Sequence, residues 1–110
     1  MRNGGNFVSR GKLINLGIKK HQEVVLIVTA TPENEHEMDI IVEVHPVTGK
    51  TFLFPYLHLS ILDADGIAVM EASTRNHNKN IQLEFSNDKN EQFSVKLSLG
   101  DISAMENFVT

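Results

Sequence analysis

Apolar and polar residues alternate with a period of two along most of this 110-residue chain, the pattern of half-buried strands rather than helices. Val24, Leu26 and Val28 fall on one face and Val25, Ile27 and Thr29 on the other. A strand apolar on both faces reads as a central one, covered above and below. Met38, Ile40, Val42 and Val44 alternate with Asp39, Ile41, Glu43 and His45 until Pro46, which removes a ladder donor and stops the run. Leu57, Leu59 and Ile61 point inward, with His58 and Ser60 outward. Beyond residue 66, either Ile67 and Val69 continue inward or, with a slip of one residue, Ala68 and Met70 do. Ile81, Leu83 and Phe85 alternate with Gln82, Glu84 and Ser86; Phe93, Val95, Leu97 and Leu99 alternate with Ser94, Lys96 and Ser98.

The ends of the chain are less regular. Residues 1–10 carry two asparagines and two glycines beside Phe7 and Val8, and read as a flexible lead-in. A first strand starts near Lys12 with Leu13, Ile14, Leu16 and Ile18, where Gly17 marks a bulge. Residues 51–54 form a short strand before Pro55. Residues 100–106 hold Ser103 and Glu106 at capping-box spacing, which predicts one helical turn before a closing Phe108-Val109.

Turn chemistry separates these runs. Pro32 and Asn34 punctuate residues 31–35, residues 47–50 turn around Gly49, and residues 87–90 carry two asparagines. About seven or eight short strands at even spacing predict an all-β chain, folded as one antiparallel sandwich. The expected architecture is immunoglobulin-like, with residues 11–110 as a single β-sandwich domain.

Asp63-Ala64-Asp65-Gly66 opens like a calcium loop. A calcium loop of the EF-hand type needs oxygen ligands at positions 1, 3 and 5, glycine at 6 and glutamate at 12. Counted from Asp63, the glycine comes at position 4, Ile67 fills position 5 and Thr74 fills position 12. Between two alternating runs, Asp65-Gly66 is a hairpin turn, since both residues tolerate positive φ. Asp63 and Asp65 remain only as a weak alternative for calcium at a sandwich edge.

Other chemistry is sparse. With no cysteine, thiolate metal sites, disulfides and a cysteine nucleophile are excluded. The five histidines include no HExxH and no helical pair at i, i+4. His45 and His58 would meet if their strands paired, yet two histidines make half a zinc site, and surface histidine is the plainer reading. No GxSxG elbow and no GxxxxGK phosphate loop occurs. The formal net charge of −4 lacks the basic surface that nucleic acid requires. No apolar run approaches the ~20 residues of a membrane helix, and no secretion signal opens the chain, so a cytoplasmic location is expected.

The densest aromatic cluster is TFLFPY, with Phe52, Phe54 and Tyr56 around Pro55. It closes the core at a strand crossover, or it forms an exposed apolar patch that binds a protein partner. The competing class is ligand binding, of calcium or carbohydrate, through Asp63, Asp65 and the NHNKN loop at residues 76–80. One tyrosine and no tryptophan in the whole chain weigh against carbohydrate, which stacks on exposed aromatics. The expected function is therefore a non-enzymatic interaction or accessory module without a cofactor. It would bind a protein through an apolar patch or an open sheet edge, with homodimerisation through such an edge left open.

Three stretches, "HPVTGKTFLFPYLHLSILDADGIAVMEASTR", "NIQLEF" and "EQFSVKLSLGDISAMENFV", carry a family resemblance. Their ordered succession, ending in "LGD" and then "E.FV", resembles the C-terminal part of the cyanobacterial domain of unknown function 1822 family. The resemblance covers residues 13–109 and implies an intracellular, cyanobacterial setting and a regulatory context. It transfers no catalytic residue. Two departures stand out: family members carry a further N-terminal region, and residues 72–75 read Ala-Ser-Thr-Arg where "QAR" is usual.

Overall fold

The computed structural model describes residues 7–17 and 22–110. Their strands are β1 (Val8–Asn15), β2 (Glu23–Pro32), β3 (Glu37–Pro46), β4 (Leu57–Leu62), β5 (Ala68–Ser73), β6 (Ile81–Asp88), β7 (Gln92–Leu99) and β8 (Ile102–Val109). They form two four-stranded antiparallel sheets, ordered β1-β2-β3-β6 and β5-β4-β7-β8. Immunoglobulin domains cross to the second sheet after two strands. Here three consecutive strands share the first sheet before β4 crosses. The supported architecture is thus the two-sheet antiparallel sandwich, with a strand order of its own.

Alternation decides which residues meet between the sheets. Val24, Leu26 and Val28 of β2 and Ile40, Val42 and Val44 of β3 face Leu57, Leu59 and Ile61 of β4 and Val95 and Leu97 of β7 in one buried cluster. Burying each such side chain stabilises the fold by roughly 1.5–3 kcal/mol. Phe93 joins this core with its ring edge-on to Phe85 at 5.3 Å between centroids, and stacks on Phe108 at 5.1 Å.

Five expectations need correction. β1 begins at Val8, because Val8, Ser9 and Arg10 pair with Ala30, Thr29 and Val28; residues 8–10 belong to the sandwich rather than to a lead-in. Residues 1–6 and Ile18 lie outside the described residues. Gly17 sits beyond the end of β1, where any Cβ would overlap the Gln22 side chain. The predicted strand at residues 51–54 is a bent segment that drops Leu53, 3% exposed, into the core. The predicted helical turn is strand instead: residues 102–109 pair along β7, with Gly100 at φ +63° making the tight connection. The pairing satisfies backbone groups that one isolated helical turn would leave open.

The two alternatives for β5 are resolved by an irregularity between Ile61 and Leu62. It shifts the register so that Met70 packs against the core, while Ile67 and Val69 stay 61% and 57% exposed. The expected hairpin turn forms before it, with Gly66 rather than Asp65 at positive φ: Gly66 N–H donates to the Asp63 carbonyl at 2.9 Å and Gly66 takes φ +81°. Finally, β2 is central in its sheet, but among the described residues no further layer covers its second face. Val25, Ile27 and Ile41 are half-buried only among their neighbours on the sheet's outer surface.

Candidate functional site

The TFLFPY segment crosses from one sheet to the other, and its local chemistry explains its shape. Pro55 holds the second position of a turn and Tyr56 the third, at φ +64°. These are the marks of a type II turn, whose third position favours glycine or asparagine. A tyrosine there carries backbone strain of about 1–3 kcal/mol, and its side chain is 82% exposed, so no packing compensates. The usual turn bond from the fourth residue's N–H to the first residue's carbonyl is replaced by a hydroxyl relay. Leu57 N–H donates to Thr74 Oγ1 at 2.9 Å, and that hydroxyl donates to the Phe54 carbonyl at 2.6 Å. Thr74 is 2% exposed. Its carbonyl also accepts from Tyr56 N–H at 3.3 Å.

The NHNKN loop lies against the same segment. Leu53 N–H donates to the Asn78 carbonyl at 2.8 Å, and Asn78 Oδ1 accepts from Arg75 N–H at 2.6 Å. The His77 ring meets Phe52 edge-on at 5.2 Å, and His77 itself holds φ +70°. Phe52 is 43% exposed, whereas Phe54 packs against the core. Of the three rings of the cluster, two therefore stand at the surface on a backbone pinned at Thr74 and Asn78, and the third helps anchor it.

The calcium alternative places its residues apart. Asp63 Oδ1 accepts from Asp65 N–H at 2.9 Å and Ile67 N–H at 3.0 Å, bracing the hairpin turn. This turn and the NHNKN loop lie at opposite ends of the β4–β5 hairpin, one strand length, about 17–20 Å, apart. Among the described residues no three His, Asp or Glu side chains converge as metal ligands would. His45 and His58 do not meet, because β3 and β4 belong to different sheets; His45 pairs with Glu43 at 3.1 Å instead.

Strand pairing assembles one polar cluster that spacing alone does not reveal. His58 Nδ1 lies 2.7 Å from Ser73 Oγ and its Nε2 lies 2.7 Å from Glu71 Oε1, with Ser60 donating to the same carboxylate at 3.4 Å. The His58 hydrogen bond holds the Glu71 carboxyl below its ordinary value, against a smaller opposing effect of burial. Hydroxyl, imidazole and carboxylate in series resemble a nucleophile relay. They stand on the outer face of an open sheet, with the His58 and Glu71 side chains 40% and 54% exposed. Such a row ties β4 to β5.

Along the opposite margin, Lys12 of β1 bridges to Glu106 of β8 at 2.8 Å. Beside this bridge, Val8, Arg10, Val28, Phe93 and Phe108 are among the residues lining an open groove of about 360 Å³. No helix of the described residues is long and apolar enough to cross a membrane.

No curated protein and no solved structure matches the chain. The profile of one family, described as protein of unknown function (DUF1822), matches residues 2–109. That match spans nearly the whole chain from the first strand to the last, so the chain belongs to this family.

Proposed function

We propose that this domain is a non-enzymatic interaction module that binds a protein partner through the surface formed by Phe52, Tyr56 and His77. One observation carries the reading: a tyrosine occupies the strained third position of a type II turn and is 82% exposed. Strain that no local packing repays points to selection for what the side chain does outside the fold. An exposed aromatic with a polar tip on a pinned backbone is the residue type that dominates protein interfaces. The turn is fixed in advance by Thr74, so little conformational entropy is lost on binding.

The same reading takes the module as cytoplasmic and cyanobacterial, supported by the motif resemblance. The ordered "LGD" and "E.FV" motifs support its correspondence to the C-terminal region of longer family members. The exposed placement of the Ser73, His58 and Glu71 row, with no enclosing walls to exclude water, supports a binding rather than a catalytic role.

The test is capture from lysate with wild-type, Phe52→Ala and Tyr56→Ala domains as bait, washed at about 300 mM salt to strip weakly screened charge contacts. A stoichiometric protein retained by the wild type and lost from both variants supports the proposal. Equal retention by all three refutes it.

A further inference from the structure

Among the described residues, the open outer face of the β1-β2-β3-β6 sheet shows a segregation of charge that the outer face of the other sheet, with Glu71 and Lys96, does not share. Its outward positions on the central strands include Glu23, Glu37, Asp39 and Glu43, and β6 adds Glu84 and Asp88. No lysine or arginine occupies an outward position on any of the four strands. These six carboxylates outnumber the formal net charge of −4 of the entire chain. Asp39 and Glu84 are close enough that a hydrogen bond between them raises the Glu84 carboxyl above its ordinary value, with the charges of Asp39 and Glu33 adding to the effect.

Beside this acidic margin runs an apolar strip. Leu13 of β1 pairs with Val25 of β2, Ile27 follows on β2, and Ile41 of β3 lies diagonally across from Ile27. Leu13 is 55% exposed. Opposite Ile27 on β1 stands Gly11, which offers no side chain to cover it. The strip spans three strands, two spacings of about 4.8 Å, or roughly 10 Å across. That is the width of one α-helix with its side chains.

We propose that this face docks a basic amphipathic helix of a partner protein, its apolar stripe on Val25, Ile27 and Ile41 and its lysines or arginines over Asp39, Glu43 and Glu84. Charge decides the occupant. A second copy laid face to face would set the six carboxylates against six more, and an anionic membrane would be repelled in the same way. A cationic helix matches the strip in width and the margin in sign. The surface is separate from the Phe52 and Tyr56 turn, and the inference does not rest on that turn's role.

The test titrates the isotopically labelled domain with a synthetic leucine, alanine and lysine amphipathic helix of about 20 residues, long enough to run the roughly 30 Å of β2. A control helix carries glutamate in place of lysine. The lysine helix is expected to shift the amide resonances of residues 25–29 and 41–43, and the glutamate helix to shift none. Glu43→Lys, a change at a half-buried position of the outer face, and Ile27→Thr, which retains strand preference, are each expected to weaken binding at least tenfold. Shifts scattered over the whole domain, or Ile27→Thr binding as tightly as the wild type, would show generic charge attraction and overturn the docking face. Millimolar calcium reproducing the same shifts would overturn it in favour of a cation site. A dimer in light scattering that Glu43→Lys strengthens would overturn it in favour of a second copy.

Discussion

Thr74→Val tests the hydroxyl relay at the crossover. Valine preserves the volume and branching of threonine but removes the group that Leu57 N–H donates to and that donates to the Phe54 carbonyl. Position 74 is 2% exposed, so water cannot replace the lost partner. A buried backbone group left unpaired costs about 1–3 kcal/mol. Two such groups, partly relieved if the turn tightens to bond directly, put the expected loss near 3 kcal/mol. For a domain of this size that lowers Tm by about 10–20 °C. Thr74→Ser keeps the relay and loses one methyl, worth about 1 kcal/mol. Thermal melts followed by circular dichroism on the three proteins give the comparison. A valine variant melting within about 3 °C of the wild type, or a serine variant falling as far as valine, would refute the relay's role.

Three further outcomes are expected. Tyr56→Gly relieves the positive φ without removing buried surface, so its denaturant midpoint should equal or exceed the wild type's; a loss above about 1 kcal/mol would contradict the strain argument. Gly11→Val meets Ile27 Cγ1 at an ordinary 3.9 Å and should stabilise β1 by about 0.5–1 kcal/mol in chemical denaturation, because a strand glycine sacrifices entropy and packing. Glu84 has a carboxyl raised in the folded state. Its contribution is therefore favourable below the unfolded value and is lost as pH rises through the folded one. Glu84→Gln should raise Tm at pH 7 and leave it unchanged near pH 3, and equal shifts at both pH values would contradict the repulsion.

Much of the sandwich was legible because one physical rule, burial of one face per strand, writes itself into alternation. β2, β3, β6 and β7 follow it with Val, Ile, Leu and Phe on the inner row, and Asp65-Gly66 announced its own turn. The rule is weaker where a second force competes. β8 carries Ala104 and Glu106 on its inner row, the latter paired with Lys12 across the sheet margin, so its strand character comes from pairing with β7 rather than from hydrophobicity. In β5 the register depends on an irregularity at Ile61 and Leu62, which no local pattern marks. Val25 and Ile27 looked like residues awaiting a second covering layer, and the described residues supply none.

The candidate site divides along the same line. TFLFPY was conspicuous as composition, but which rings it presents depends on Thr74, eighteen residues beyond Tyr56 in sequence and in hydrogen-bond contact with the backbone around it. The His58, Glu71 and Ser73 row likewise exists only once β4 and β5 pair, since each residue alone is an ordinary strand polar position.

The most direct test of the account is photo-crosslinking in living cells of the source organism. A photoreactive phenylalanine analogue replaces Tyr56 in one strain and Val69, exposed on β5 and 57% accessible, in another. The account predicts one discrete adduct from position 56 and none from position 69. No adduct at position 56, or the same adduct from both positions, would contradict it.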